Sequence, residues 1–165
     1  MSRSGYDRGV LALTPLTTGE ADEVAGFLGQ VDLTLTGLGE PEVRLWVARD
    51  DRGAIVACTG FELSPDGTDA LIRSVAVLPE HRAAGRGTEL ARFALDRAAE
   101  AGARRAWLFS RRSGPFWQRL GFEPADRDEL ARALAGTHQV RSFVQTGQLD
   151  REIAWSRPLA EAPAR

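Results

Sequence analysis

The residues best placed to do chemistry are Arg82-Ala83-Ala84-Gly85-Arg86-Gly87. They stand between an alternating apolar run that ends at Pro79 and a long alanine-rich stretch at helical spacing. A strand that passes through a glycine-bearing turn into a helix leaves several backbone N–H groups unpaired at the helix start. Those groups, with the positive end of the helix dipole, attract an anion. Gly85 and Gly87 remove side chains that would hold a phosphate off the backbone, and Arg82 and Arg86 add fixed positive charge. The dinucleotide fingerprint requires a third glycine and a first-strand position, which this segment lacks. The P-loop requires a lysine, and the chain has none. The bland alternative is an ordinary strand-to-helix turn built on a glycine pair.

Composition bounds the rest. At 165 residues, 43% hydrophobic and 27% charged, the chain reads as one globular domain with a real core. A net charge of −2 gives no bias toward nucleic acid or an anionic membrane. All 21 basic residues are arginine, which excludes Schiff-base chemistry on a lysine of this chain and points to a GC-rich, bacterial source. Cys58 is the single cysteine, so neither an intrachain disulfide nor a multi-cysteine zinc site can form; it reads as a buried small residue. His81 and His138 are not spaced as a metal pair, and no metal is expected. No segment approaches the roughly 20 apolar residues of a membrane span, and the N-terminus lacks the apolar core of a signal peptide. A cytoplasmic setting is expected.

Positioning elements follow from periodicity. Residues 1–8 read as a polar tail, 9–159 as the domain and 160–165 as a second tail. Val10 to Leu13 reads as a strand. Thr17 and Glu20 have capping-box spacing before a helix with Ala21, Val24, Ala25 and Leu28 on one face. Residues 31–42 form a less regular link. Val43–Ala48 and Ala54–Leu63 are strands about an Asp50–Gly53 hairpin turn, and Ala70–Val77 follows a turn at Ser64–Gly67. A helix from about Gly87 to Ala101 buries Leu90, Ala91, Ala94, Leu95 and Ala98, with Gly102 as its C-cap. Ala106–Phe109 is a strand, Ser113–Leu120 a short helix, and Phe122-Glu123 opens another strand. Residues 125–148 are polar and partly helical, and Ile153–Trp155 closes the sheet. This order predicts an α/β domain with one mixed, mostly antiparallel sheet and helices on both faces.

The R-x-x-G-x-G spacing resembles the acetyl-CoA signature of the GCN5-related N-acetyltransferase (GNAT) family. Ser113-Gly-Pro-Phe-Trp-Gln-Arg-Leu-Gly-Phe122 resembles that family's F-[YF]-x-x-x-G-F segment. Together the two span roughly residues 43–124, and the element order is that of the acetyltransferase fold. The resemblance implies acetyl-CoA as co-substrate. Val75, Ala76 and Val77 would pair with its pantetheine arm, with a backbone N–H polarising the thioester carbonyl. Arg82 to Thr88 would hold the pyrophosphate, and Ser113, Phe116 and Trp117 would flank the cofactor. Within the family, the run Ala70-Leu-Ile-Arg-Ser-Val-Ala-Val77 is similar to acetyltransferases encoded in arsenic-resistance operons. A Cys-Pro pair common in that subgroup is absent after residue 125.

The departures matter as much. Trp117 stands where relatives place a tyrosine acid, and indole N–H is no practical acid. The one tyrosine, Tyr6, lies in the polar N-terminal tail. Ser110 or Ser113 is left to hydrogen-bond the departing sulfur. Leu71 and Arg73 occupy positions where relatives carry a carboxylate, so Glu62 becomes the leading candidate for general base, ahead of Asp69 and His138. Arg73 interrupts an apolar strand. Two settings fit it: a cleft, where it holds a substrate carboxylate or other anion, or a sheet edge, where it pairs with a surface acid. Arg111-Arg112 could meet the 3′-phosphate of CoA, an acidic substrate, or lie in a solvated loop, while Trp46 and Trp107 read as core and Trp155 as core or interface. The functional expectation is direct acetyl transfer to a small-molecule amine, including one that bears a carboxylate. A degenerate acetyl-CoA-binding sensor and a protein N-acetyltransferase are the alternatives. No nucleic-acid or membrane partner is expected, and the oligomer is left open between monomer and homodimer.

Overall fold

Seven strands and five α-helices build the chain in a computed structural model that describes residues 11–30, 37–82 and 85–160. In order they are β1 (Thr14–Pro15), α1 (Ala21–Gln30), β2 (Val43–Arg49), β3 (Ile55–Leu63), β4 (Asp69–Val77), α2 (Arg86–Glu100), β5 (Arg105–Phe109), α3 (Gly114–Arg119), β6 (Glu123–Ala125), α4 (Arg127–Ala133), α5 (His138–Thr146) and β7 (Ala154–Pro158). Short 3-10 turns occupy Thr18–Glu20, Pro79–His81 and Gln148–Arg151. The sheet order is β1-β2-β3-β4-β5-β7-β6. It is mixed: β4 and β5 are parallel, whereas β1–β2, β5–β7 and β6–β7 are antiparallel. The chain forms two compact units, one of residues up to Gly60 with Ser74–Ala94, the other of Phe61–Arg73 with residues from Leu95 onward.

In the first unit, α1 buries Val24, Phe27 and Leu28 in a cluster with Val43, Leu45, Val47, Ile55 and Cys58. The backbone N–H and hydroxyl of Thr17 both donate to Glu20 Oε1, at 2.7 and 2.8 Å. The glutamate half of the anticipated capping box is therefore present, but the threonine hydroxyl donates rather than caps. Asp50 sets the hairpin turn by accepting from the N–H groups of Arg52 and Ala54, both at 2.9 Å. The expected strand at Val10–Leu13 is displaced. Val10 lies outside the described residues, Leu11–Leu13 are not strand, and pairing begins at Thr14. The N–H of Leu11 is taken by the Glu89 carboxylate instead of a strand neighbour, and Pro15 offers no N–H to extend the ladder. A second cluster joins Ala48, Ala57, Val77 and Leu90, and the buried Thr59 hydroxyl donates to the Leu90 carbonyl at 2.8 Å.

In the second unit, β4 pairs with β5 from Asp69↔Arg105 to Leu71↔Trp107, and β7 lies between β5 and β6. Its core joins Leu71, Trp107, Leu130, Leu134, Val140 and Ala154. The polar stretch after residue 125 resolves into two capped helices. Asp126 accepts from Glu129 N–H at the start of α4, and the Thr137 hydroxyl accepts from Val140 N–H at the start of α5. Gly147, with φ 78°, ends α5 in the left-handed conformation that glycine tolerates best. Trp107 and Trp155 are core, as their strand positions suggest, and each indole N–H finds an acceptor: Asp69 Oδ1 and the Ser110 carbonyl, both at 2.9 Å.

Candidate functional site

In the first unit the decisive segment runs from the end of β4 into α2. Ser74 has φ 62° and is the one non-glycine residue with positive φ among the described residues. Such a conformation costs roughly 1–2 kcal/mol for an L-residue. It breaks the strict alternation of side chains along β4, as a bulge does. After it, Val75 and Ala76 are half-buried and Val77 is buried. Leu78 N–H then bonds Val56 O at 3.0 Å, and the 3-10 turn at Pro79–His81 redirects the chain. Arg82 is exposed, and its Nε donates to Val77 O at 3.1 Å, tying the turn back to the strand. Ala83 and Ala84 lie outside the described residues.

Gly85 has φ 86°, and a Cβ built there would meet nothing within 4 Å among the described residues. The glycine is required by conformation, and no described atom fills the space in front of it. Among the described residues, the chain enters α2 with the bond from Glu89 N–H to Gly85 O at 2.9 Å. Arg86, Gly87 and Thr88 form the first turn of α2, where the helix dipole presents its positive end. Arg86 is buried. Arg82, Gly85, Gly87 and Thr88 accordingly fall on one turn and one helix start, as their spacing suggests.

In the second unit, Arg73 and Glu62 form a buried ion pair. Arg73 NH1 lies 2.8 Å from Glu62 Oε2, and the two side chains are 0% and 1% exposed. The same carboxylate accepts from the backbone N–H of His138 at 2.6 Å and of Gln139 at 3.2 Å. Neither setting read from the sequence describes Arg73. It does pair with an acid, but β4 is an interior strand and the acid is itself buried. Glu62, read as a general base, is instead a shielded carboxylate engaged by three donors. A base must reach the proton it removes, and a side chain 1% exposed has no open approach. His138 is half-buried at the first position of α5, and Asp69 is engaged by Trp107 and Thr68.

Also in the second unit, the Ser110 hydroxyl accepts from Ser113 N–H at 3.1 Å and keeps its own hydrogen to donate. Ser113 is exposed at the start of α3. Trp117 is buried, with edge-on contacts to Phe116 and Phe122 at centroid separations of 4.9 and 5.4 Å. A Cβ at Gly114 would fall 2.9 Å from the Trp155 ring, so the glycine lets α3 start close against β7. Arg111 and Arg112 are exposed, with Arg111 Nε 3.5 Å from Glu152. Tyr6 lies outside the described residues. Sequence reading missed the turned backbone of Ser74 and the capping use of Glu62. Serine carries no signal for positive φ, whereas an acid and an arginine on neighbouring apolar strands could have suggested the pair.

The Acetyltransferase (GNAT) family model matches residues 15–122. The chain belongs to the GNAT acetyltransferase family. Acetyl-CoA is the family's co-substrate. The amino-acid acetyltransferase of Pseudomonas syringae pv. syringae is 29% identical over 99 residues, which are 60% of this chain and 23% of that relative. The GNAT chain thus spans under a quarter of the curated relatives it matches. N-acetylglutamate synthase of Neisseria gonorrhoeae, complexed with coenzyme A and N-acetyl-glutamate, superposes with a TM-score of 0.67 at 18% identity, covering 92% of this chain and 36% of that one. Tetrahymena GCN5 gives 0.67 at 12% identity, with 94% and 100% covered. At these identities the likeness carries the fold, and the fold is the mixed-sheet acetyltransferase one that the element order predicts.

Proposed function

We propose that this GNAT domain is an acetyl-CoA-dependent N-acetyltransferase that acts on a small-molecule amine, amino acids being the first class to test. The observation that carries the cofactor half is the turn at Gly85: positive φ, no described atom within 4 Å of where a side chain would stand, and the start of α2 directly after it. A diphosphate fits such a cradle because the donors are fixed in advance and the dipole of α2 favours negative charge. Arg82, exposed beside the turn, adds charge without blocking it. Val75–Val77 would offer strand N–H and C=O groups to an amide-bearing arm, and a backbone N–H there would polarise a thioester carbonyl. Bound acetyl-CoA would supply a thioester open to direct attack by an amine. The acceptor class draws support from the relatives, which are amino-acid acetyltransferases.

The test has two stages. Calorimetry should show CoA binding that Gly85→Val weakens by more than tenfold, since a branched side chain both strains φ 86° and fills the cradle. Thiol release from acetyl-CoA across an amine panel should then reveal turnover. Unchanged binding by Gly85→Val would remove the turn from the cofactor site. Binding without turnover on any amine would favour a sensing domain, the reading that Trp117 at the tyrosine position supports.

A further inference from the structure

We propose that the Glu62–Arg73 pair is a positioning device for acetyl transfer, holding the β4 backbone in the conformation that presents Val75–Val77 to the cofactor. The inference rests on the cofactor reading above and assigns to that site two residues outside the phosphate turn.

A buried ion pair needs a reason, because well-packed apolar side chains of similar volume usually serve stability as well or better. What a charged pair adds is direction. Glu62 receives Arg73 NH1, His138 N–H and Gln139 N–H, so one carboxylate joins the end of β3, the middle of β4 and the first turn of α5. The negative charge also faces the positive end of that helix. Thr137 takes the next N–H, that of Val140, so the helix start is fully engaged and fixed in place. Arg73 is thereby held by a partner that cannot drift.

The residue after Arg73 is Ser74, whose φ of 62° is the sole non-glycine departure of its kind among the described residues. Unfavourable backbone persists only where the surroundings over-determine it. A serine has no intrinsic preference for this conformation, and the residues on either side of it in the chain are held. On one side, Leu71 is locked in the core of the second unit and Arg73 in the ion pair. On the other, Val77 is packed with Ala48, Ala57 and Leu90. If the Arg73 side chain loosens, Ser74 can relax toward ordinary strand geometry, and each following N–H and C=O changes its aim.

The experiment measures CoA affinity by calorimetry, well below the melting temperature, for wild type, Glu62→Gln, Arg73→Lys and Val140→Ala. Val140 is buried in the same helix core, so its truncation destabilises the unit without touching the pair. Glu62→Gln should weaken CoA binding about tenfold and shift the amide NMR signals of Ser74–Val77. Arg73→Lys, which keeps the charge, should stay within about threefold of wild type. Val140→Ala should bind CoA within twofold and leave those signals in place. Wild type that binds no CoA would overturn the cofactor reading itself. Wild type that binds, with Glu62→Gln binding equally well, would leave that reading intact and overturn this inference, as would equal losses in Glu62→Gln and Val140→Ala.

Discussion

Arg73→Met makes the buried pair measurable as stability. The substitution keeps an unbranched apolar stem and removes the guanidinium from a carboxylate that is 1% exposed. Taking one partner from a buried pair typically costs about 3–5 kcal/mol, because the remaining charge stays buried without its counter-ion. Two backbone N–H bonds, from His138 and Gln139, remain on Glu62 and place the expected cost near the lower limit, at about 3 kcal/mol. For a chain of this length that corresponds to a fall in Tm of about 6–12 °C. Glu62→Gln/Arg73→Met removes the stranded charge and leaves an amide oxygen that can still accept from the helix start. Its cost should be about 1–2 kcal/mol, less than that of Arg73→Met alone. Urea unfolding at pH 7, followed by tryptophan fluorescence, reads both; Trp107 is buried in the same unit. A cost below about 1 kcal/mol for Arg73→Met, or simple additivity of the two single variants, would show that the pair is not the desolvated ion pair described.

Gly60→Ala should destabilise by about 3 kcal/mol or more in the same assay, because its Cβ would fall 2.2 Å from the Arg44 carbonyl oxygen, a backbone atom that cannot turn aside. A variant within about 1 kcal/mol of wild type would refute that close approach. Ser110→Ala removes the acceptor of Ser113 N–H and should lower stability by about 0.5–1.5 kcal/mol; a fall in kcat with unchanged Tm would assign the hydroxyl to chemistry instead. The Asp66 carboxyl should titrate below its ordinary 3.8, held down first by Thr68 N–H and then by the hydroxyls of Ser64 and Thr68. Because the folded pKa is the lower one, the turn's contribution is complete above the unfolded value and is lost as pH falls through the folded one. An NMR titration with a midpoint at or above 3.8 would contradict this.

Much of the fold was legible because its signals are local. Apolar runs marked β2–β5, helical spacing marked α2, and Gly102 stands with positive φ where the end of that helix needs it. The strand expected at Val10–Leu13 failed because an apolar run does not say which acceptor its N–H groups will meet, and Glu89 lies far along the chain. The glycine turn was legible for the same reason that α2 was. Its demands on φ and on space are both written within a few residues of Gly85.

Glu62 and Arg73 were different. Each was visible as an anomaly on an apolar strand, but whether a charge faces solvent, substrate or another charge depends on what folds over it. The N-terminus of α5 covers this one, 76 residues along the chain from Glu62. By itself the sequence determined the family, most of the element order and the glycine turn, because those rest on short-range patterns of residue size and φ. The tertiary structure alone decided that Glu62 and Arg73 meet each other in the interior and that Ser74 turns its backbone beside them. Burial sets what a charge costs, and burial is a property of the whole chain.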